Sequence, residues 1–170
     1  MPITILGAVY GTTTAGFDVT NGCGGGTTIP VNDTTFADPN FGVVKSFGIL
    51  YIDPALNNGN PIALACQENA TINLVPNPAT ATTSPQPTLG PAGSLKVLMA
   101  VYGTTTNGNN VTAICQALVN QGNFTIPVNN TILGPDPSPG VIKSFGILYT
   151  TSSGAIRGLA CKENTNLLIG

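Results

Sequence analysis

KSFGILY stands at residues 45–51 and again at residues 143–149. The chain has only five basic side chains, and this heptapeptide places two of them in the same local context. Two further words keep step with it: AVYGTTT at 8–14 and 100–106, and TIPVN at 28–32 and 125–129. The pairs Asp38-Pro39 with Asp136-Pro137, Gly42 with Gly140, and CQEN with CKEN follow the same spacing. The chain therefore reads as a tandem duplication, each unit about the length of a small domain.

Alternation within the heptapeptide puts Phe47, Ile49 and Tyr51 on one face and Ser46, Gly48 and Leu50 on the other, the period of a β-strand. Strands are expected near 3–10, 27–32, 43–53, 61–67 and 71–75, with counterparts at 96–102, 124–129, 141–150, 155–161 and 166–169. Gly, Asn, Asp and Pro fill the gaps between them. In the second unit Thr112 is expected to cap a short helix through AICQALVNQG that stops at Gly122. Between the units lies PNPATATTSPQPTLGPAGS, residues 76–94, with no apolar periodicity. This segment reads as an extended linker. The expected architecture is all-β: two small antiparallel, Ig-like β-sandwich domains over 1–75 and 95–170, which need not touch across the 76–94 linker.

Hydrophobic residues make up 42% of the chain, enough for a core in each unit, while charged residues are only 7% against about a quarter in typical domains. Solubility is then expected from hydroxyls and amides, from attached glycans, or from burial in an assembly. A net charge of −2 with no basic run argues against nucleic acid as a partner. No apolar stretch approaches the length that spans a membrane as a helix.

The four cysteines fall as one equivalent pair per unit, Cys23 with Cys66 and Cys115 with Cys161. Disulfides within each pair are expected, each adding about 3–4 kcal/mol by closing a loop; the alternative is two buried free thiols per unit. Such bonds suit an extracellular setting. No signal-peptide pattern precedes the first strand, so export by another route, or a processed chain, is implied.

The order YG…DVT, a Cys-bearing turn, VNN, DPxPG, Lys and an apolar strand ending in Tyr resembles the domain of unknown function that follows the J domain in some DnaJ-like proteins. The resemblance covers both repeats, with the copy from AVYGTTTNGNNVT to KSFGILY the nearer. It implies a small β-sandwich and brings no activity; Asp18 of the first copy is Asn110 in the second.

No histidine is present, which removes imidazole bases, Ser-His-Asp triads and His-ligated zinc. GCGGG at 22–26 lacks the Lys of a phosphate loop and reads as a turn. Glu68 and Glu163 are duplicates of each other in separate units, so they are expected to face Lys45 and Lys143 rather than to form a glycosidase pair. Calcium at Asp18, Asp33 and Asp38 is disfavoured because the second unit offers Asn110, Asn130 and Asp136. No enzyme activity, cofactor or metal is expected.

Sequons for N-glycosylation occur at Asn32, Asn69, Asn110, Asn123 and Asn129, and the linker offers Thr80, Thr82, Thr83 and Thr88 for O-linked sugar. Two functional classes follow. The first is a structural subunit that polymerises with itself into an extracellular, glycan-coated filament, with at least one of the terminal segments 2–10 and 164–170 and the linker lying against a neighbouring subunit. The alternative is a tandem-repeat lectin; with Trp absent its sugar platform would have to come from Tyr10, Tyr51, Tyr102 or Tyr149, which lie within the expected strands where core packing is the default.

Overall fold

The computed structural model describes residues 2–75 and 95–170. The linker expectation for 76–94, with Thr80, Thr82, Thr83 and Thr88, lies outside the described residues. The fold is all-β, two small antiparallel sandwich units, one per repeat.

In repeat 1, β1 (Thr4–Gly11), β2 (Gly16–Asp18), β4 (Ser46–Ile52) and β5 (Ile62–Gln67) form an antiparallel sheet in the order β2-β1-β4-β5. A two-stranded sheet of β3 (Thr28–Pro30) and β6 (Thr71–Asn73) covers it, with the short helix α1 (Asp33–Phe36) following β3. Repeat 2 copies the plan: β7 (Lys96–Gly103), β8 (Gly108–Asn110), β10 (Ser144–Thr150) and β11 (Ile156–Lys162) in the order β11-β10-β7-β8, covered by β9 (Thr125–Val128) paired with β12 (Thr165–Leu168). The helix α2 (Thr112–Asn120) belongs to repeat 2.

Each repeat has its own core. Tyr10, Phe47, Ile49, Tyr51, Leu64 and Ile72 anchor the first, and Tyr102, Phe145, Ile147, Val119, Ile126 and Leu167 the second. The heptapeptide is thus a central strand in both units, flanked on each side by a partner. A β-bulge at Leu6, and another at Leu98, shifts the register by one residue. The shift lets Ala8 and Tyr10 face the same core as Ile5 despite the odd spacing.

The helix in repeat 2 starts at the expected residue but is capped differently. Val111 is the N-cap, and Thr112 Oγ1 instead accepts from Ala100 N–H at 2.9 Å, tying the helix to β7. Gly122 follows with φ +81°, the left-handed conformation that glycine adopts without a Cβ penalty, and the helix stops there. Repeat 1 has a 3-10 turn at Thr20–Cys23 in its place. Residues 43–45 and 141–143 are not strand: Val44 and Ile142 point to solvent, 66% and 70% exposed, because β4 and β10 begin only after the lysine.

The expectation that the units need not touch is corrected. A third apolar cluster, Val9, Leu50, Ala63, Ala65, Met99, Val101 and Leu148, joins the outer faces of the two four-stranded sheets. The edges close reciprocally: Ala65 N–H donates to Thr104 C=O and Ala160 N–H to Thr12 C=O, both at 3.0 Å. These are equivalent positions, so the contact has the form of an approximate two-fold. At its centre Gly48 meets Gly146, and a Cβ built on either would fall 3.1 Å from the Cα of the other. Only glycine allows sheets to approach this closely.

Within the subunit the terminal segments are held by their own repeats: β1 lies between β2 and β4, and Leu167 and Ile169 are buried in the second core.

Candidate functional site

Lys45 and Lys143 sit at the entry to β4 and β10, each only 3% exposed. In repeat 1 the Lys45 ammonium lies 2.9 Å from Asp38 Oδ1, 3.0 Å from Asp33 Oδ2 and 3.7 Å from Glu68 Oε1. Lys45 N–H donates to Glu68 Oε2 at 3.1 Å, and its carbonyl accepts Glu68 N–H at 2.9 Å. Tyr10 donates its hydroxyl proton to Asp33 Oδ1 at 2.8 Å. In repeat 2 the Lys143 ammonium meets Asp136 at 3.0 Å and Glu163 at 3.3 Å, and the Tyr102 hydroxyl lies 2.9 Å from both Glu163 and Asn130. The expected facing of Glu68 and Glu163 onto the two lysines is what the structure has, and the additional acids come from the start of α1 (Asp33) and from the loops after α1 (Asp38) and β9 (Asp136).

The electrostatics favour permanent charge. Burial tends to lower the Lys45 ammonium, but Asp38 and Asp33 outweigh it and hold its pKa above the usual lysine range. Lys143 is raised in the same way against its burial, by Asp136 and Glu163. Burial tends to raise the Asp33 and Glu163 carboxyls; Lys45 with Tyr10, and the Lys143 backbone N–H with Tyr102, hold them below it. Asp136 is lowered first by the Ser138 N–H and then by Lys143. Tyr10 and Tyr102 are pushed well above the ordinary phenol value, first by burial and then by the adjacent carboxylates. None of these shifts brings a group towards neutrality, where general acid–base catalysis works best. Chemically the clusters are staples that fasten the four-stranded sheet to the covering layer. Among the described residues no group of Cys, Asp and Glu is arranged to hold a metal ion.

The expected disulfides are corrected. Cys23 and Cys66 share the first core, Cys115 and Cys161 the second, and all four are buried free thiols. Equivalent positions in a duplication establish equivalent environments, not facing sulfurs. Here the environment is apolar, and the residues pack as small hydrophobes. Burial pushes Cys23, Cys66 and Cys161 up to about 12 and raises Cys115 as well, so thiolate is scarce.

The glycosylation candidates separate by exposure. Asn69 and Asn123 are exposed; Asn32, Asn110 and Asn129 are half-buried. Asn32 Oδ1 caps α1 by accepting Thr35 N–H at 2.9 Å, Asn129 Oδ1 accepts from Thr131 and Ile132, and Asn110 Oδ1 accepts from Thr112. These bonds use the amide oxygen, whereas a glycan is carried on Nδ2. All four tyrosines named as a sugar platform are buried: Tyr10, Tyr51 and Tyr102 at 0% and Tyr149 at 4%.

Among the clefts along the contact between repeats, two occupy equivalent places. One, of about 360 Å³, is lined by Thr12, Val43, Val44, Gln67, Ala160 and Lys162; the other, of about 270 Å³, by the equivalent Thr104, Val141, Ile142 and Ala65 among others. The exposed apolar rims of both clefts, residues 43–44 and 141–142, went unrecognised in the sequence because VVK and VIK read as strand starts. Comparison with protein-family models, curated proteins and solved structures finds no match to this chain.

Proposed function

We propose that this chain is a non-catalytic structural subunit that associates with its own copies into an extracellular, glycosylated filament. The observation that carries the reading is the character of the surface. Of twelve charged side chains, seven are held within the lysine clusters, where Asp38 is exposed, and Asp53 is buried; the remaining four, Asp18, Lys96, Arg157 and Lys162, are exposed outside the clusters. Against these stand twelve exposed large apolar side chains among the described residues, with Phe41 at 93%. A surface with so little charge has almost no self-repulsion to keep copies apart. The lectin alternative has lost its tyrosine platform to the cores.

Negative-stain imaging and sedimentation of the purified full chain test the proposal. Filaments are expected, and their formation should weaken little between about 0.05 and 1 M salt, because screening acts on charges this surface lacks. A chain that stays at its monomer mass of 17.2 kDa at high concentration overturns the reading.

A further inference from the structure

The contact between repeats is built from equivalent residues almost throughout: Val9 with Val101, Leu50 with Leu148, Gly48 with Gly146, Ala65 with Ala160. Its clearest exception lies near the two-fold, where a position meets its own equivalent. Gly7 of repeat 1 occupies the place of Met99 in repeat 2, and the two face each other. A Cβ on Gly7 would stand 3.1 Å from Met99 Cβ and 3.2 Å from Met99 Cγ. Met99 is 1% exposed and fills the hollow that Gly7 leaves. Pairing two copies of repeat 1 would set Gly7 against Gly7 over a void; pairing two copies of repeat 2 would press two methionines into room for one. Both errors are costly in close-packed interiors. The faces are therefore lock and key between unlike repeats.

Within the chain the two repeats are joined covalently only through residues 76–94, since all four cysteines are free. Nothing in the contact itself requires both faces to come from one molecule. We infer that the occupant each face accepts is the complementary repeat of a second copy of this chain, so that repeat 1 of one copy seats on repeat 2 of the next. One copy carries one face of each kind, which is a heterologous, open-ended arrangement that propagates. In dilute solution the tethered repeat wins through its effective concentration; crowding or nucleation favours exchange. This deepens the self-assembling reading and rests on it only for its consequence in a filament.

The test blocks the intramolecular contact in two full-length variants. In Gly48→Val the added Cβ falls 2.5 Å from Val101 Cγ2, closing the repeat 1 face; in Gly146→Val it falls 2.5 Å from Val9 Cγ1, closing the repeat 2 face. Both substitutions point away from their own repeat's core. Each variant alone should run in light-scattering chromatography as a monomer of about 17.2 kDa. Mixed, they should form a 1:1 species of twice that mass, since one supplies an intact repeat 1 and the other an intact repeat 2. A mixture that stays monomeric, or single variants that dimerise as readily as the mixture, overturns the inference. If the valine variants do not fold, Gly48→Ala and Gly146→Ala, which weaken the contact rather than close it, decide by whether their mixture forms more of the double-mass species than either does alone. Failure of mixing while the unaltered chain still forms filaments would sink exchange alone and leave the structural reading standing.

Discussion

Replacing Gly146 by Ala pits two physical expectations of opposite sign against each other. Within an isolated strand the change is favourable by about 0.5–1 kcal/mol, because glycine loses more backbone entropy on folding. Against the other repeat it is unfavourable. The new Cβ would lie 2.5 Å from Val9 Cγ1 and 3.1 Å from Gly48 Cα, where ordinary contacts begin at 3.4 Å. Valine has one strongly preferred χ1 and cannot swing its methyl aside cheaply, and the Gly48 Cα is backbone. Overpacking of this kind costs about 1–3 kcal/mol, so a net loss of about 1–2 kcal/mol is expected. Urea unfolding followed by circular dichroism measures it. The companion Val9→Ala removes the obstructing methyl at a cost of about 2 kcal/mol by itself. The double variant should then be more stable than the sum of the singles predicts, by about 0.5–1 kcal/mol, a coupling expected only of residues in contact. Stabilisation by Gly146→Ala, or strict additivity with Val9→Ala, would refute the close packing of the repeats.

Asp33, Asp136 and Glu163 have lowered pKa values in the fold, so their contribution to stability is present above the unfolded carboxylate values near 4 and lost as pH falls through the folded ones. Lys45 and Lys143 are raised, so theirs is complete below about 10.4 and lost as pH rises through the folded values. Burial also raises the four thiols, whose contribution is complete below their unfolded value of about 8.5 and lost as pH rises above it, so thermal melts should be flat from about pH 5 to 8 and fall outside that window; a decline already between pH 7 and 5 contradicts the assignment. Lys143→Met should lower the melting temperature clearly while Lys162→Met, on an exposed side chain, leaves it unchanged. A thiol reagent should label the cysteines only after denaturation, and equal migration with and without reductant is expected; a native disulfide in peptide mapping would contradict the buried free thiols. In native material Asn69 and Asn123 should carry glycan at higher occupancy than Asn32, Asn110 and Asn129, measured by glycopeptide mass spectrometry.

Much of each unit was legible in the sequence because local rules governed it. Repetition exposed the two units, period-two alternation placed Phe47, Ile49 and Tyr51 on one core face, and the pairing of each heptapeptide lysine with the acid of CQEN or CKEN followed from their equivalent spacing. The repeated words also have readable parts: Ile29 and Val31 of TIPVN enter the first core, and Asn32 caps the helix that follows. What sequence could not supply was anything set by contacts between segments far apart in the chain. Strands β2 and β8 are three residues each, too short for a period to register. The cysteine pairs share a core without bonding because side-chain direction, not position in a repeat, decides whether sulfurs meet. Above all, Ser46, Gly48 and Leu50 alternate as an ordinary solvent face would. Only the tertiary structure, by setting Gly48 on Gly146 and Met99 over Gly7, turned that face into the surface on which one repeat recognises the other, because close approach of two sheets depends on the absence of atoms in both at once.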